Sequence, residues 1–387
     1  MRAVLASLFL LAAPALAQQP PAGPPVVPWE VPAEPGIRVE TVATGLEHPW
    51  ALAFLPDGRM LVTERPGRLR IVAKDGRVSA PLAGVPAVAA VGQGGLLDVA
   101  LAPDFAQTGT LYLTHAVGTD TANMTALTRA TLKGSALTDV RELARNPVAK
   151  TGGAHFGSRL LVLPDGTLLM SVGDGGNPNV KLDGQNIRDQ AQNPKAWFGK
   201  VLRLTAEGKP AAGNPGARGP GGWDPHVWTI GHRNIQGLAR DSRTGAIFAT
   251  EHGAQGGDEL NRLAAGGNFG WPLVTHSREY SGKPITAERS RPGMVDPVSV
   301  WTPSIAASGL AVYRGTAMPA LDGAILAGGL MSQDVRVVRL GADGRPARET
   351  RIEVGARVRD VRVGPDGLVY LLTDDAEGKL LRLRPAR

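Results

Sequence analysis

Residues 163–172 read LPDGTLLMSV, a tight turn followed by a short run of mostly apolar residues, and this pattern decides the fold. The glycine suits the positive φ of a hairpin turn, and a run of about five such residues suits a buried strand. The pattern recurs along the chain as LPDGRMLVTE from Leu55, QTGTLYLTHA from Gln107, RTGAIFATE from Arg243, LDGAILAGG from Leu321 and GPDGLVYLLT from Gly364. Six copies at the spacing of propeller blades predict an all-β chain folded as a six-bladed β-propeller.

The rest of the chain agrees with this architecture. Runs such as RLRIV from Arg68 and KVLRLT from Lys200 supply partner strands, and no segment has the periodicity and caps of a long amphipathic helix. We therefore expect one propeller domain over residues 36–387. Since the loops of a propeller build the mouth of a central channel, polar residues distant in sequence are expected to converge at one mouth.

The N-terminal segment predicts export. Residues 1–17 combine an early Arg2, an apolar run and the small residues Ala15 and Ala17, which is typical of a cleavable signal peptide. Residues 18–35 are Pro-rich and are expected to form an extended, weakly ordered linker. No later stretch resembles a membrane span, so the predicted location is the bacterial periplasm.

Composition narrows the function classes. The net charge is +7, but the arginines are scattered and aromatic residues make up only 5% of the chain, which argues against a nucleic-acid partner and favours a small anionic ligand. The absence of cysteine excludes disulfide staples and haem attached through a CxxCH motif. No GxGxxG motif follows a strand and opens a helix, which argues against a nicotinamide cofactor.

The densest polar segment, residues 231–272, is predicted to form a binding surface. It reads GHRNIQG, then one strand and turn, then EHGAQGGDELNRLAAGGNFGWP. Arg233, Asn234 and His252 bring donors and acceptors together, and the glycines allow close approach of the backbone to a ligand. Asp258 and Glu259, with loop carbonyls around Gly253, offer the oxygen ligands that a hard cation such as Ca²⁺ prefers.

Candidate catalytic groups lie elsewhere in the chain. His155, in GGAHFGSRL, could take a proton near neutral pH, and Asp174, in SVGDGG, could hold its imidazole in one tautomer. Taken alone, either could instead be a structural turn residue. Gln93, in GQGGLLDVA, is a candidate binding amide. Arg357 and Arg359 alternate on one predicted strand and therefore share a face, where they could clamp carboxylates or simply be solvated.

These motifs, in this order, resemble the quinoprotein aldose dehydrogenases of the glucose/sorbosone dehydrogenase family. The resemblance covers nearly the whole mature chain, through GLEHPWALAFLPDG, GQGGLLDVALAPDF, HFGSRL, GHRNIQG, EHGAQGGDELN, GGNFGWP and RVRDVRVGPDG. It implies a six-bladed propeller that uses pyrroloquinoline quinone (PQQ) and Ca²⁺ to oxidise the anomeric hydroxyl of aldose sugars to lactones. The enzyme would be an oxidoreductase acting on CH–OH groups, and an external quinone or redox protein would accept its electrons.

The resemblance also implies roles for individual residues. His155 matches the general base, Asp174 its orienting carboxylate, and Arg233 with Asn234 the pair that contacts the quinone oxygens. The remaining matches are cofactor contacts from Gln93 and Tyr280, a carboxylate clamp from Arg357 and Arg359, carbonyl ligands of the cofactor-bound Ca²⁺ from Gly253 and Ala254, and a second, structural Ca²⁺ site at Glu259 and the carbonyl of Phe269. One departure is Met331, in AGGLMSQDV, where the family frequently has lysine.

Two other functions remain open at this point. A lactonase-type Ca²⁺ hydrolase would share the propeller, the metal and sugar-like ligands, but would not need the arginine pair. A non-catalytic propeller that binds glycan or protein would be expected to carry aromatic platforms on its loops, and Trp271 and Trp301 alone are thin support for that function.

Overall fold

The computed structural model describes residues 26–176, 180–217 and 222–386 of the 387-residue chain. The predicted signal peptide, residues 1–17, and the first part of the predicted linker, residues 18–25, lie outside the described residues. The described part is built almost wholly from strands, which confirms the predicted fold class. None of the helices in the described ranges has the length and apolar character needed to cross a membrane.

The strands are short and follow one another along the chain with few helical interruptions. In the first half they are β1 Val26–Val27, β2 Ile37–Leu46, β3 Pro49–Phe54, β4 Met60–Glu64, β5 Arg68–Val72, β6 Leu96–Leu101, β7 Thr110–Gly118, β8 Asn123–Lys133, β9 Ala136–Arg145, β10 Leu160–Val162, β11 Leu168–Val172, β12 Lys181–Leu182, β13 Gln185–Asn186 and β14 Lys200–Leu204. In the second half they are β15 Val227–Ile230, β16 Ile235–Arg240, β17 Ile247–Glu251, β18 Asp258–Leu263, β19 Ser299–Trp301, β20 Ala307–Val312, β21 Ile325–Gly329, β22 Asp334–Leu340, β23 Pro346–Glu353, β24 Val358–Val363, β25 Val369–Thr373 and β26 Gly378–Pro385. The helical elements are α1 Phe105–Thr108 and 3-10 turns at Ile187–Gln192, Pro215–Ala217 and Pro319–Leu321.

Six sheets form the blades. Blade 1 contains β3–β5, blade 2 β6–β9, blade 3 β10, β11, β14 and β15, blade 4 β16–β19 with β1, blade 5 β20–β23, and blade 6 β24–β26 with β2. The first strand of each blade is innermost, and these strands contact one another in the cyclic order β3, β6, β10, β16, β20, β24 and back to β3. The contact between β24 and β3 closes the ring.

Blade 6 is assembled from both ends of the domain. Strand β2 pairs antiparallel with β26, from Ile37 opposite Pro385 to Leu46 opposite Gly378. The N-terminal strand therefore completes the sheet that the C-terminal strands begin, and it fastens the ring through backbone hydrogen bonds.

The six repeated segments become the second strands of their blades, β4, β7, β11, β17, β21 and β25. In the third copy, Gly166 has φ of 79° at the turn and its N–H donates to the carbonyl of Leu163 at 2.9 Å. The residues of β11 that follow are all buried because blades pack on both of its faces. Turn glycine and apolar run thus do what the sequence pattern predicts.

Residues 26–35 belong to the predicted linker, but they lie along the outer edges of blades 4 and 5. Strand β1 pairs parallel with β19, and the carboxylate of Glu34 accepts hydrogen bonds from Arg339 at 2.8 and 3.1 Å and from Thr350. The side chain of Glu34 is only 4% exposed. This part of the segment is extended, as expected, but it is fixed to the propeller rather than weakly ordered.

A cluster of charged side chains fills the channel between the inner strands. Arg159 donates to Asp360 at 3.0 Å and to the carbonyl of Gln236 at 2.8 Å, and its guanidinium stacks 4.1 Å from the Trp50 ring. Arg362 joins Asp360 and Asp98 at 2.8 and 2.9 Å. These contacts connect residues of blades 2, 3, 4 and 6 across the centre of the ring and close the channel next to the cavity described below.

Candidate functional site

The candidate site residues converge because each follows or precedes a strand at the same end of a blade. His155 precedes β10, Asp174 follows β11, and Arg233 precedes β16. Arg357 and Arg359 lie at the start of β24 on the same side of the ring. The structure therefore brings these side chains from three blades to one mouth, as the propeller geometry predicts.

His155 and Asp174 form a buried pair. The His155 Nδ1 lies 2.6 Å from Asp174 Oδ1, and the two side chains are 5% and 0% exposed. An ionised carboxylate can only accept a hydrogen bond, so Asp174 places the imidazole proton on Nδ1 and leaves Nε2 as the basic nitrogen. Asp174 is itself fixed by Trp271, whose indole N–H donates to its second oxygen at 2.8 Å.

Backbone and electrostatics both make His155 unusual. Its φ of 55° lies in the left-handed region, which is uncommon for a residue with a side chain. Its N–H donates to the Gln93 side chain at 2.8 Å, which holds the turn. Burial, and then the charge of Arg233, lower the pKa of His155 although Asp174 opposes them. The imidazole is therefore neutral and able to accept a proton at neutral pH.

Beside this pair lies a cavity of about 280 Å³, the central cavity. Its wall combines positive charge, amides and a few apolar side chains. The wall residues are Trp50, Arg65, Gln93, Leu97, Phe156, Gly157, Asn234, Gln236, His252, Ala306, Leu330, Arg357, Arg359 and Asp374. Of the predicted cofactor contacts, Gln93, Asn234, Arg357 and Arg359 thus share one wall.

The two arginines of the predicted clamp are held by an aspartate. Asp374 Oδ2 accepts from Arg359 at 2.6 Å and from Arg357 at 3.3 Å. Burial tends to raise the pKa of Asp374, but Arg359 and Arg357 outweigh it and hold that pKa below its usual range. The two arginines share a face, as predicted. This face is partly buried, and Asp374 supplies a negative charge to it.

Arg233 lies on the other side of the mouth. Its guanidinium donates to the carbonyl of Gly253 at 2.5 Å and stacks 5.4 Å from the Trp271 ring, and its backbone N–H donates to Glu251 at 2.8 Å. Neighbouring Asn234 accepts from the Gly157 N–H at 3.0 Å. The side chain of Arg233 therefore already contacts a carbonyl that the sequence assigns to a cation.

Tyr280 lies at the rim and not in the wall of the central cavity. Its side chain is at the tip of a turn, the residue is 60% exposed, and its hydroxyl is 3.4 Å from Arg233. Met331 is 61% exposed next to Leu330, which lines the cavity.

The carboxylates of the second dense segment have two different roles. Asp258 is buried and accepts hydrogen bonds from Ser304, from the Gly253 N–H and from the Ala307 N–H at 2.7, 2.9 and 3.1 Å. These bonds satisfy Asp258 as an anchor of the loop that contains Gly253 and Ala254. The expectation that Asp258 offers oxygens to a cation is therefore not supported by its surroundings.

Glu259 has a different environment. It is buried next to Glu251, and Asn261 donates to both carboxylates, at 3.1 and 2.8 Å. Burial, and then the charge of Glu251, raise the pKa of Glu259 well above its usual value. A void of about 10 Å³, the size of one small ion or water, lies among Glu251, Glu259 and Phe269. In the described ranges no group of three or more His, Cys, Asp or Glu side chains forms a metal-ligand set, so carbonyl oxygens would have to complete any site here.

Sequence reasoning missed several residues of the mouth, namely Arg65, Gln236, Asp374 and the positioning role of Trp271. A signal for some of them exists in the repeats. Arg65 comes directly after the first copy and Asp374 directly after the sixth, and Asp174 comes two residues after the third. Residues just after these copies reach the same mouth, so an alignment of the repeats could have identified Arg65 and Asp374 as candidates.

Comparisons with known proteins agree with this geometry. The sequence model of the family described as Glucose / Sorbosone dehydrogenase matches residues 46–382. The chain is 40% identical over 365 residues to aldose sugar dehydrogenase YliI of Escherichia coli, covering 92% of this chain and 95% of the relative. The crystal structure of the soluble aldose sugar dehydrogenase of that species in its apo form superposes with a TM-score of 0.83 at 40% identity, covering 90% of this chain and 99% of the other. The PQQ-bound form of an aldose sugar dehydrogenase from Streptomyces coelicolor superposes with a TM-score of 0.73 at 30% identity, covering 91% and 99% of the two chains.

Proposed function

The chain belongs to the glucose/sorbosone dehydrogenase family and is an oxidoreductase acting on sugars, and on that premise we propose that it oxidises the anomeric hydroxyl of aldoses to lactones with PQQ and Ca²⁺. The observation that carries the proposal is the buried His155–Asp174 pair beside a cavity whose wall contains three arginines and one aspartate. A proton acceptor and a polyanion-binding pocket at one mouth are what this chemistry requires.

The central cavity suits PQQ, which is a planar group with three carboxylates. Arg65, Arg357 and Arg359 face one carboxylate, Asp374, so the wall has excess positive charge. Guanidinium groups bind carboxylates through paired, charge-assisted hydrogen bonds. Trp50 and Phe156 supply apolar surface, and the amides of Gln93 and Asn234 supply donors. These residues would hold the cofactor.

PQQ, when bound, would supply an electrophilic quinone carbon that accepts hydride from the sugar. The chain's own contribution is proton transfer and charge stabilisation. The Nε2 of His155 would take the proton of the anomeric hydroxyl, while Asp174 keeps Nδ1 protonated and stabilises the imidazolium that forms. Trp271 positions Asp174 through its indole N–H.

Arg233 and Asn234 would contact the quinone oxygens. A fixed guanidinium is well suited to stabilise negative charge that develops on an oxygen, because its cost of orientation is already met by the fold. The backbone hydrogen bond of Arg233 to Glu251 and the packing of its guanidinium against Trp271 support that orientation.

Calcium would be held at two places. The carbonyls of Gly253 and Ala254 would bind the ion associated with the cofactor, and the contact of the Arg233 guanidinium with Gly253 O supports the affinity of this carbonyl for positive charge. Glu259 and the Phe269 carbonyl would bind a structural ion. The adjacent buried carboxylates of Glu251 and Glu259 and the small void beside them support a cation there.

The remaining parts of the proposal concern location and electron transfer. The predicted signal peptide supports a periplasmic enzyme, and an external quinone or redox protein would accept the electrons. A lactonase would not need the arginines of the central cavity, and a glycan-binding propeller would not need a buried His–Asp pair. The family match sets both alternatives aside.

The test is reconstitution of the metal-free, cofactor-free protein. Addition of PQQ and Ca²⁺ together is expected to produce aldose-dependent reduction of an artificial electron acceptor, and either component alone is not. Undiminished sugar oxidation by chelated, cofactor-free protein would refute the proposal. Release of an acid from a lactone, with no acceptor reduced, would favour the hydrolase instead.

A further inference from the structure

Arg65 is an arginine in the wall of the central cavity, and a structural role alone does not explain its position there. It follows β4 in blade 1, whereas Arg357 and Arg359 belong to blade 6, so the cavity receives cations from both sides of the ring closure. Its backbone N–H donates to the His48 carbonyl at 3.0 Å, and its guanidinium donates to the carbonyl of Gly92. The first bond holds the backbone, and the second holds the side chain next to Gln93.

The charges of this group are unbalanced. Burial, and then Arg359 and Arg357, lower the pKa of Arg65, while Asp374 acts in the opposite direction. An arginine remains protonated under such a shift, which has burial as its main cause and repulsion by Arg359 and Arg357 as a smaller one. Asp374 is the single carboxylate in the cavity wall, and it engages Arg357 and Arg359. One negative charge against three positive ones leaves room for a further anion.

The hydrogen-bonding capacity of the cluster is also incompletely used. Arg357 is 47% exposed and its bond to Asp374 is long, at 3.3 Å. The Nε of Arg359 is buried and has no hydrogen-bond partner among the described residues. Donors held in place without matching acceptors, beside a cavity, indicate a ligand with several acceptor oxygens.

We propose that Arg65 is a third anion-binding residue of the central cavity, which together with Arg357 and Arg359 binds a small planar polycarboxylate, while Asp374 holds the cluster together before the ligand arrives. The proposal deepens the function given above, and rests on it for the identity of the ligand as PQQ. It also gives the chain a cation that does not depend on position 331, where Met331 stands.

The alternative is that Arg65 merely fastens the loop at Gly92. Arg65→Gln separates the two roles, because glutamine keeps an N–H donor for that carbonyl but has no charge. Arg65→Met removes both. The matched control is Arg59→Met, since Arg59 lies in the same blade, pairs with Asp57 across an exposed turn, and changes the net charge equally.

The experiment measures binding at equilibrium without turnover. Each protein is titrated with PQQ and, separately, with trimesate, a redox-inert aromatic tricarboxylate, at low and high salt, with bound ligand followed by equilibrium dialysis and by quenching of tryptophan fluorescence. Both Arg65 variants are expected to weaken binding of both ligands about tenfold or more, the scale of losing a hydrogen bond to a charged group, and to reduce the salt dependence. Arg59→Met is expected to bind as the wild type does.

The outcomes separate the inference from the proposed function. Arg65→Gln that binds both ligands like Arg59→Met overturns the inference, as does a wild-type protein that binds neither ligand. Arg65-dependent binding of trimesate, in a protein that PQQ and Ca²⁺ do not activate, supports the inference and refutes the proposed function. Thermal unfolding of each variant identifies misfolding, and if Arg65→Met does not fold, the folded Arg65→Gln variant decides.

Discussion

At the scale of the residue, the arrangement of His155 matters more than its identity. From the sequence alone, His155 is a histidine in a glycine-rich turn, and such a residue can be either structural or catalytic. Three observations distinguish it: burial, a carboxylate at 2.6 Å on Nδ1, and a backbone in the left-handed region. Burial of an ionisable side chain and a left-handed backbone both cost stability, and features of this kind concentrate at functional sites.

The first prediction concerns this base. His155→Ala is expected to lower the rate of sugar oxidation by about 100-fold or more, the scale of losing a positioned general base, while PQQ binding largely survives. The reductive half-reaction of the reconstituted variant is the measurement, and PQQ binding by dialysis is its control. A variant that reacts at the wild-type rate would return His155 to a structural role.

The second prediction is the pH dependence of the same residue. Burial and Arg233 lower the pKa of His155 from its usual 6.5, so the neutral, basic form persists into more acidic solution. The activity that needs this form is expected to be retained below pH 6.5 and lost as the pH falls through the lowered pKa. The measurement is kcat/KM against pH for the reconstituted enzyme. An acid limb at or above pH 7 would contradict the assignment.

The third prediction tests the second calcium site. Ca²⁺ between two buried carboxylates removes their mutual repulsion, and an ion that binds only the folded state raises its stability. Thermal unfolding of the cofactor-free wild type is expected to shift upward with Ca²⁺, and Glu259→Gln is expected to lose that shift. Exposed Glu377→Gln is the control. If Glu259→Gln gains as much from Ca²⁺ as the wild type, the ion lies elsewhere.

At the scale of the element, the segment from 187 to 199 shapes the mouth without following the propeller pattern. Lys200 is fully buried, and its ammonium donates to the carbonyls of Gln190, Ala191 and Phe198 at 2.8, 2.9 and 2.7 Å. Burial lowers the pKa of Lys200 well below its usual value. One side chain thus fastens a loop that packs against the β11 and β16 ends.

The fourth prediction follows from this fastening. Lys200→Met leaves three buried carbonyls without their donor, and the expected loss is about 3 kcal/mol in the free energy of unfolding. Urea unfolding measures it, with Lys195→Met, an exposed position in the same segment, as the control. A loss no larger than that of the control would show that the loop is held by its own turns.

The elements also show what the sequence could predict. The turn glycine and the apolar run after it predicted the second strand of all six blades. These strands are recognisable without tertiary context because they are buried on both faces. The attachment of residues 26–35 could not be predicted, since a Pro-rich composition says nothing of the edge strand that accepts it. Site residues that lie within recognisable motifs, such as His155 and Arg233, could be predicted from the sequence. Asp374 was not predicted because a lone aspartate after a strand has no evident role until the fold places it beside Arg357 and Arg359 at the start of β24.

At the scale of the whole molecule, the ring is held together by contacts at its centre as well as by the pairing of β2 with β26 in blade 6. The Arg159 cluster involves Leu52 of blade 1, Asp98 of blade 2, Gln236 of blade 4 and Asp360 of blade 6. Arg159 itself belongs to the turn before β10 of blade 3. Residues next to these contacts also line the central cavity. Loss of the cluster is therefore expected to affect both the stability of the ring and the shape of the cavity.

The last prediction concerns this centre. Arg159 is 1% exposed, so Arg159→Met would strand the partly compensated charges of Asp98 and Asp360 away from water. Removal of one partner of a buried ion pair costs about 3 to 5 kcal/mol, whereas the exposed pair of Arg384 with Glu40 contributes about 1 kcal/mol or less. Denaturant unfolding of Arg159→Met and of Arg384→Met, which make the same change in charge, compares the two. Because the cluster joins several blades, the Arg159 variant is expected to unfold at lower denaturant in one transition, with PQQ affinity reduced as well. Equal stability of the two variants would mean that packing between blades, and not the central charges, holds the ring together.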